Sequence, residues 1–270
     1  MFSIICPCYN SSKYIKSTLD CILKQKKDGF NYEVICIDDG STDNTIEILK
    51  SYEKEYLKHN INYIIIEQEN YGPGSARNSG IKKASEEYIA FIDSDDTWRE
   101  NKLLYVYEII KKNKGKYNLY IHDEFYSRIN KNKKLIRHDI INYDNIPNSL
   151  YKKNSLSTSA VIMETKLAKS SKGFDEKLMS SQDWDFWLRL APQLKIKHIN
   201  KVLGVYNENT NSITSRFYIT RMLDQLKIAY RFKDYVGNYI FIYKITKIIF
   251  SKQWFYGLKN IIFNKKGHNY

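Results

Sequence analysis

"EVICIDDGSTDNTIEILKSY", residues 33–52, carries three patterns in succession. A short apolar run at Glu33–Ile37 ends in a polar, turn-forming cluster, and Ile46, Leu49 and Tyr52 then recur at helical spacing. Strand, loop and helix follow one another, with the Ser/Thr/Asp cluster at 41–43 placed to start the helix. Working outward, similar apolar runs stand at Phe2–Cys6, Asn62–Ile66 and Tyr88–Ile92. Ile15, Leu19, Ile22 and Leu23 share a helical face after candidate caps at Ser11 and Ser12. Strands alternating with helices predict an α/β fold with a mostly parallel central sheet covered on both sides.

Such sheets take ligands at the carboxyl ends of their strands. Here those ends read Tyr9-Asn10, Asp38-Asp39-Gly40-Ser41, Gln68-Glu69-Asn70 and Asp93-Ser94-Asp95-Asp96. Any one of them is ordinary turn chemistry. Four together predict an acidic, amide-rich rim. Two aspartates one residue apart at a strand end suit a hard divalent cation, Mn²⁺ or Mg²⁺, bridging to phosphate oxygens. Asp96 reads as a cap, turn or acceptor-side residue rather than a ligand, and Asp38 as a turn and N-cap. No G-x-x-x-x-G-K-[ST] is present, and "YGPGSARNSG" (71–80) has Arg77 where a dinucleotide-binding glycine would stand. An arginine early in a helix faces a diphosphate instead.

Composition sets the remaining bounds. The chain has 270 residues, 43% hydrophobic and 27% charged, and a formal charge of +13. Eleven Lys/Arg against two acids (Asp224, Asp234) follow from Arg216 on, so +9 of that charge lies in the last fifth. Four cysteines (Cys6, Cys8, Cys21, Cys36) without a second close pair read as buried thiols of a reducing cytoplasm. The N-terminus lacks a basic leader, and no apolar run reaches the ~18 residues of a membrane span. "YIFIYKITKIIF" (239–250) is interrupted by Lys244 and Lys247.

Beyond residue 117 the pattern changes. "YNLYIHDEFYSRINKNKKLIRHDII" reads as two strands about a polar turn at Asn130–Lys133, and "STSAVIM" (157–163) as another strand. A Gly-Phe-Asp turn at 173–175 leads to a helix in "SSQDWDFWLRLA" (180–191), with Trp184, Trp187, Leu188 and Ala191 on its apolar side. His122 and His198 read as structural. The basic, aromatic tail is either a solvated helix surface packed on the domain or a membrane-facing one. In the second reading Phe241, Ile242, Ile245, Ile248, Ile249 and Phe250 interleave with Lys244, Lys247 and Lys252.

"FSIICPCYNSSKYIKSTLDCIL", "EVICIDDGSTDNT", "NYGPGSARNSGI", "EYIAFIDSDDTW" and "SQDWDFWLRL" resemble, in order and spacing, the signatures of family 2 glycosyltransferases of the GT-A fold. The match is dense over the first hundred residues and looser over 157–190. It implies an inverting enzyme acting on a nucleotide-sugar. Pro7 and Tyr9 would flank the base, Asp39 would hydrogen-bond it (usually uracil), and Arg77 would approach base or diphosphate. Asp93 would contact the ribose, Asp95 would coordinate the metal, and Asp183 would be the general base. Asp185 is a second carboxylate in reach of that role. Two departures stand out: Gln182 replaces the more usual glutamate, and "VYNENTNSIT" (205–214) has no histidine.

The division that follows is 1–115 for the nucleotide-sugar half, 116–215 for the acceptor half, and 216–270 for a helical extension. The acceptor would be a glycan or a lipid-linked sugar of bacterial surface polysaccharide, lipopolysaccharide or capsule. The expected place is the cytoplasm, at the inner face of the cytoplasmic membrane if the tail binds anionic lipid. Two rivals remain. A nucleotidyltransferase would want a Gly-rich basic loop where "PCYNSSKY" stands. A basic nucleic-acid or membrane-binding module has no recognised nucleic-acid motif to support it, so no nucleic-acid partner is expected.

Overall fold

The four apolar runs of the first hundred residues form β1 (Phe2–Cys8), β2 (Tyr32–Asp39), β3 (Asn62–Gln68) and β4 (Tyr88–Phe91). They come from a computed structural model that describes residues 1–128, 133–138, 140, 142–208 and 218–251. β1 pairs in parallel with both β2 and β4, and β2 with β3. The first three strands outrun the apolar stretches, because polar residues continue the ladder (Cys8 pairs with Asp38, and Asp39 with Gln68), while β4 stops one residue short of Ile92. The crossovers are α1 (Ile15–Leu23), α2 (Thr45–Ser51), α3 (Glu53–Lys58) and α4 (Pro73–Lys83). The first helix begins later than Ser11 and Ser12 suggest. The Ser11 carbonyl accepts the N–H groups of Tyr14 and Ile15, so Ser11 leads in through its backbone.

Among the described residues, the second half completes a mixed sheet of nine strands. β5 (Thr97–Trp98), α5 (Lys102–Lys112), β6 (Leu119–Arg128) and β7 (Lys134–Ile136) precede α6 (Ile146–Lys152). β8 (Val161–Glu164), α7 (Thr165–Ser170), α8 (Gln182–Leu190) and β9 (Ile196–Glu208) follow. The strand expected over 157–163 starts as a short 3₁₀ turn at Thr158–Ala160 and becomes extended only at Val161. β8 runs antiparallel between β4 and β6, while β9 lies parallel to β6 and antiparallel to β5. No alternating pattern in the sequence marks β9. Its register slips at His122/Asp123 and Asp123/Glu124, which blurs the period-two signal. The turn at 130–133, apart from Lys133, lies outside the described residues, as do 209–217 and 252–270 with Lys252.

Strand alternation sorts the core into two layers. Ile5, Ile37 and Phe91 pack with Ala76 and Ile81 of α4 and with Trp187 of α8. Phe2, Ile4, Cys6, Val34 and Cys36 pack on the other face with Leu19 and Leu103. The four cysteines are free thiols, and Cys6, Cys8 and Cys36 are buried. α4 sits close to β1 because residue 80 is glycine. A Cβ there would lie 2.4 Å from Ile5 Cγ2 and 3.1 Å from Ile37 Cδ1. Gly80→Ala is therefore expected to destabilise the fold by about 1–3 kcal/mol through overpacking, measured by urea unfolding.

The tail forms α9 (Tyr218–Arg231) and α10 (Asn238–Ile249). Ile228, Ala229, Phe232 and Ile248 enter the core layer of α4 and α8. Tyr151 donates its hydroxyl to the Ala229 carbonyl at 2.9 Å. The Asp224 carboxylate accepts the N–H groups of Met179 and Ser180, each at 3.0 Å, fixing the approach to α8. Among the described residues, no helix is long and apolar enough to cross a membrane.

Candidate active site

The four polar strand ends meet. Asn10 takes a left-handed backbone (φ 47°) at the end of β1 and accepts the Thr42 N–H at 2.8 Å. Its own N–H donates to Ser41 Oγ at 3.0 Å, so the first two strand-end loops clasp each other. Tyr9 beside it is half exposed. Pro7 lies two residues beyond Ile5, on the α4 face of β1. Gly40 (φ 70°) lets the third loop come close, since a Cβ there would meet the Asn70 nitrogen at 2.9 Å.

Asp39 shares the α4 face and is only 2% exposed. Its Oδ1 accepts Gln68 Nε2 at 2.8 Å and Tyr71 N–H at 3.1 Å, and its Oδ2 accepts Gly72 N–H at 2.8 Å. It thus fastens the turn that enters α4. Gly72 (φ 89°) and Pro73 then start that helix, and Arg77 projects from it. Arg77 donates to Asp93 Oδ1 at 2.6 Å, while its guanidinium rests 5.5 Å from the Phe174 ring centre. Its Nε is buried with no partner.

The loop Asp93–Asp96 is held from four directions. Ser94 Oγ bonds Ser11 Oγ at 2.7 Å, and Thr18 Oγ1 donates to the carbonyls of Ser94 and Asp96. Ser159 Oγ accepts Asp93 N–H at 3.0 Å and donates to Asp96 Oδ2 at 2.6 Å. Asn207 donates its backbone N–H to Asp96 Oδ1 and its amide to the Asp95 carbonyl, each at 2.8 Å. Asp96 is thereby more than the turn residue its position implies. It is a buried carboxylate that ties the loop to residue 159 and to β9. Burial first, then the charges of Asp95, Asp93 and Glu124, push its carboxyl well above the usual range.

Ser159 was not singled out in the sequence, and neither were Asn207 and Asn154. The Ser159 carbonyl also accepts the Trp98 indole N–H and the buried Lys102 ammonium, both at 2.9 Å. Ser159→Ala would leave Asp96 Oδ2 short of a donor, which costs about 1–3 kcal/mol. The expected result is a lower thermal midpoint, and a donor KM that rises more than kcat falls.

Asp183 occupies the first turn of α8, after Ser181 in a left-handed conformation (φ 54°). It is partly open, and its Oδ2 accepts Asn154 Nδ2 at 2.8 Å. Burial raises its carboxyl above the ordinary value. Asn154, the Trp184 N–H and Arg77 pull it back, and Asp93 adds to the rise. Its neighbour Gln182 packs against Gly74, three residues before Arg77 on α4, so the base candidate and the Arg77–Asp93 pair lie on adjoining helices.

The two neighbours of Asp183 are committed elsewhere. Gln182 Nε2 donates to the Leu178 carbonyl, and its side chain packs where a Gly74 Cβ would lie, 2.9 Å away. A glutamate would set a carboxylate against that carbonyl, which accounts for the glutamine. Asp185 is fully buried and holds Arg189 Nε at 2.8 Å and the Arg231 guanidinium, so it faces no acceptor hydroxyl. Trp187 donates to the Leu156 carbonyl within the core. His122 is buried with Nδ1 2.8 Å from the Asp123 carbonyl, and His198 Nε2 lies 2.8 Å from Asp123 Oδ1. Among the described residues, no three His, Cys, Asp or Glu side chains are grouped to hold a metal.

Comparison with known proteins bears on the fold and the family. A poly(ribitol-phosphate) beta-glucosyltransferase of Bacillus spizizenii is 42% identical over 115 residues, covering 42% of this chain and 18% of that protein. The chain spans less than a third of the length of the first curated relatives it matches. S. aureus TarS 1–349, solved in complex with UDP-GlcNAc, superposes with a TM-score of 0.73 at 22% identity over 97% of this chain and 80% of that one. The mannosyltransferase PcManGT from Pyrobaculum calidifontis, solved with GDP-Man and Mn²⁺, gives 0.67 at 14% identity over 100% and 76%. These two likenesses establish the GT-A fold. Residues 3–170, which carry every strand of the donor-side crevice and the Ser159 tether, match Glycosyl transferase family 2, and the chain belongs to that family of glycosyltransferases.

Proposed function

We propose that the protein is an inverting glycosyltransferase using a UDP-sugar, with a glycan or lipid-linked acceptor of bacterial surface polysaccharide, lipopolysaccharide or capsule synthesis. The observation that carries this is the meeting of Arg77–Asp93 and the Asp95 loop at the carboxyl ends of β1–β4, with Asp183 on α8 beside Gln182, which packs against Gly74 at the start of α4. The relative acting on poly(ribitol-phosphate) and the UDP-GlcNAc complex of TarS support the donor and acceptor classes.

In this reading Pro7 and Tyr9 border the base. Asp39 orders the 70–72 turn and offers the base the acceptor capacity left on its Oδ2, since a carboxylate oxygen has two lone pairs. Asp93, steered by Arg77, meets the ribose, and Arg77 lends positive charge toward the diphosphate. The loop's donor set is hard carboxylate oxygen, and Asp96 is turned away into the protein. Asp95 would therefore hold Mn²⁺ or Mg²⁺ largely through phosphate oxygens and water, as suits those ions. The metal supplies neutralisation of charge on the diphosphate leaving group. Asp183 accepts the proton of the acceptor hydroxyl as its oxygen attacks the anomeric carbon, and one displacement inverts that centre.

The test is a panel of UDP-, GDP- and dTDP-sugars with Mn²⁺, read by nucleotide release and donor-induced thermal shift. A response to UDP-sugars is expected; silence across the panel sinks the proposal.

The surface of the tail favours a place at the inner face of the cytoplasmic membrane. Tyr239, Ile242 and Tyr243 form an exposed stripe on α10, and Ile219, Leu223 and Tyr230 another on α9. Such stripes flanked by lysines suit an anionic bilayer surface. The protein is expected to co-float with phosphatidylglycerol vesicles at low salt, and less so with phosphatidylcholine alone.

A further inference from the structure

Away from the strand-end crevice, α8, α9 and α10 flank a half-open pocket of about 440 Å³. Two lysines of α10 line it, three residues apart: Lys244 and Lys247. Lys244 is half-buried, with its ammonium 4.3 Å from the Trp184 ring centre and 3.3 Å from the Lys152 carbonyl. Among the described residues, no carboxylate pairs with either lysine. Burial first, and then Lys247, draws the Lys244 ammonium down to about 8.

A lysine in the last turn, such as Lys247, is what a helix C-terminus favours. That does not account for Lys244, one turn earlier and desolvated over an aromatic face. Two cations lining one pocket, with no counter-ion among the described residues, repel, and a bound anion would relieve that repulsion. The remaining walls fit a particular anion. The Gln225 amide and the Ser251 hydroxyl supply donors, while Ile248 and Phe250 are apolar. The volume leaves room beyond a phosphate for attached carbon.

The position also bears on function. Trp184 follows Asp183 on α8, and the two side chains bond to neighbouring positions in and just after α6. Asp183 bonds Asn154, and Trp184 Nε1 donates to the Leu150 carbonyl at 2.8 Å. We propose that this cavity is a phosphate-ester subsite for the acceptor, with Lys244 and Lys247 holding the phosphate and Trp184, Ile248 and Phe250 its carbon. The assignment rests on the glycosyl-transfer reading for the word acceptor, and on the cavity alone for the word phosphate.

Isothermal titration of the full chain with inorganic phosphate, glycerol 3-phosphate and decyl phosphate (below its micelle threshold) tests it. Lys244→Gln/Lys247→Gln serves as the comparison, with UDP affinity and thermal midpoint confirming that the variant is folded. At least tenfold weaker phosphate-ester binding in the variant is expected. Tighter binding of decyl phosphate assigns a lipid-borne acceptor, and tighter binding of glycerol 3-phosphate a polymeric or soluble one. Equal binding by wild type and variant, or no binding of any probe, overturns the proposal. Phosphate binding with no transfer from any nucleotide-sugar keeps the subsite and refutes the transferase reading. Transfer without phosphate binding does the reverse.

Discussion

Asp95→Ala is expected to abolish the Mn²⁺-dependent part of donor binding and to reduce transfer by about 10²–10⁴-fold. The size follows from the chemistry: a metal on a departing diphosphate supplies several kcal/mol of charge stabilisation, and each ~1.4 kcal/mol is tenfold in rate. No group of three ligating side chains stands in reserve among the described residues. Asp96 cannot step in without releasing Ser159 and Asn207. The measurement is the UDP-induced thermal shift with and without Mn²⁺, which needs no turnover. Wild type should show a metal-dependent increment and the variant none. A variant that keeps the increment would remove Asp95 from the metal's coordination.

Asp96→Asn separates the neighbouring roles. It removes the carboxylate that receives Ser159 and Asn207 but keeps a carbonyl acceptor, so the loop is loosened and the Asp95 side chain retained. The metal increment should survive, with a lower thermal midpoint.

The contrast between Asp95 and Asp96 shows where a sequence is informative. The four donor-side strands were legible because each is a short apolar run broken by polar residues, and their carboxyl ends had to share one edge. Arg77 was legible by its place early in a helix, but its bond to Asp93 depends on how α4 lies across β4. The role of Asp96 was out of reach, since Ser159 is 63 positions away and Asn207 111. β9 was missed where its register slips against β6. Gln182 looked like a lost charge; only contact with Gly74 and Leu178 makes it a packing residue. Local pattern located the rim, and long-range pairing decided what each acid on it does.

Asp183→Asn is expected to leave UDP-sugar affinity intact and to lower kcat by about 10²–10⁴-fold, the usual worth of a positioned general base. Folding should not suffer. A carboxyl raised by burial lends stability only when protonated, at acid pH, and that contribution is lost as pH rises through its folded value. At neutral pH the wild type carries a poorly solvated charge there, so the neutral amide should melt no lower. Loss of rate with an unchanged or higher melting midpoint is the signature sought. The same shift predicts the acid side of the rate profile. A base must be ionised, so kcat/KM should fall as pH drops through a value above that of an ordinary aspartate, ~3.9. The Asn154 amide bonds the charged form, and Asn154→Ala withdraws that support. The acid limb should then move to higher pH while the neutral plateau changes less. An acid limb indifferent to Asn154, together with substantial transfer by Asp183→Asn, would show that another group takes the proton. Asp185, closed in by Arg189 and Arg231, is not placed to be that group.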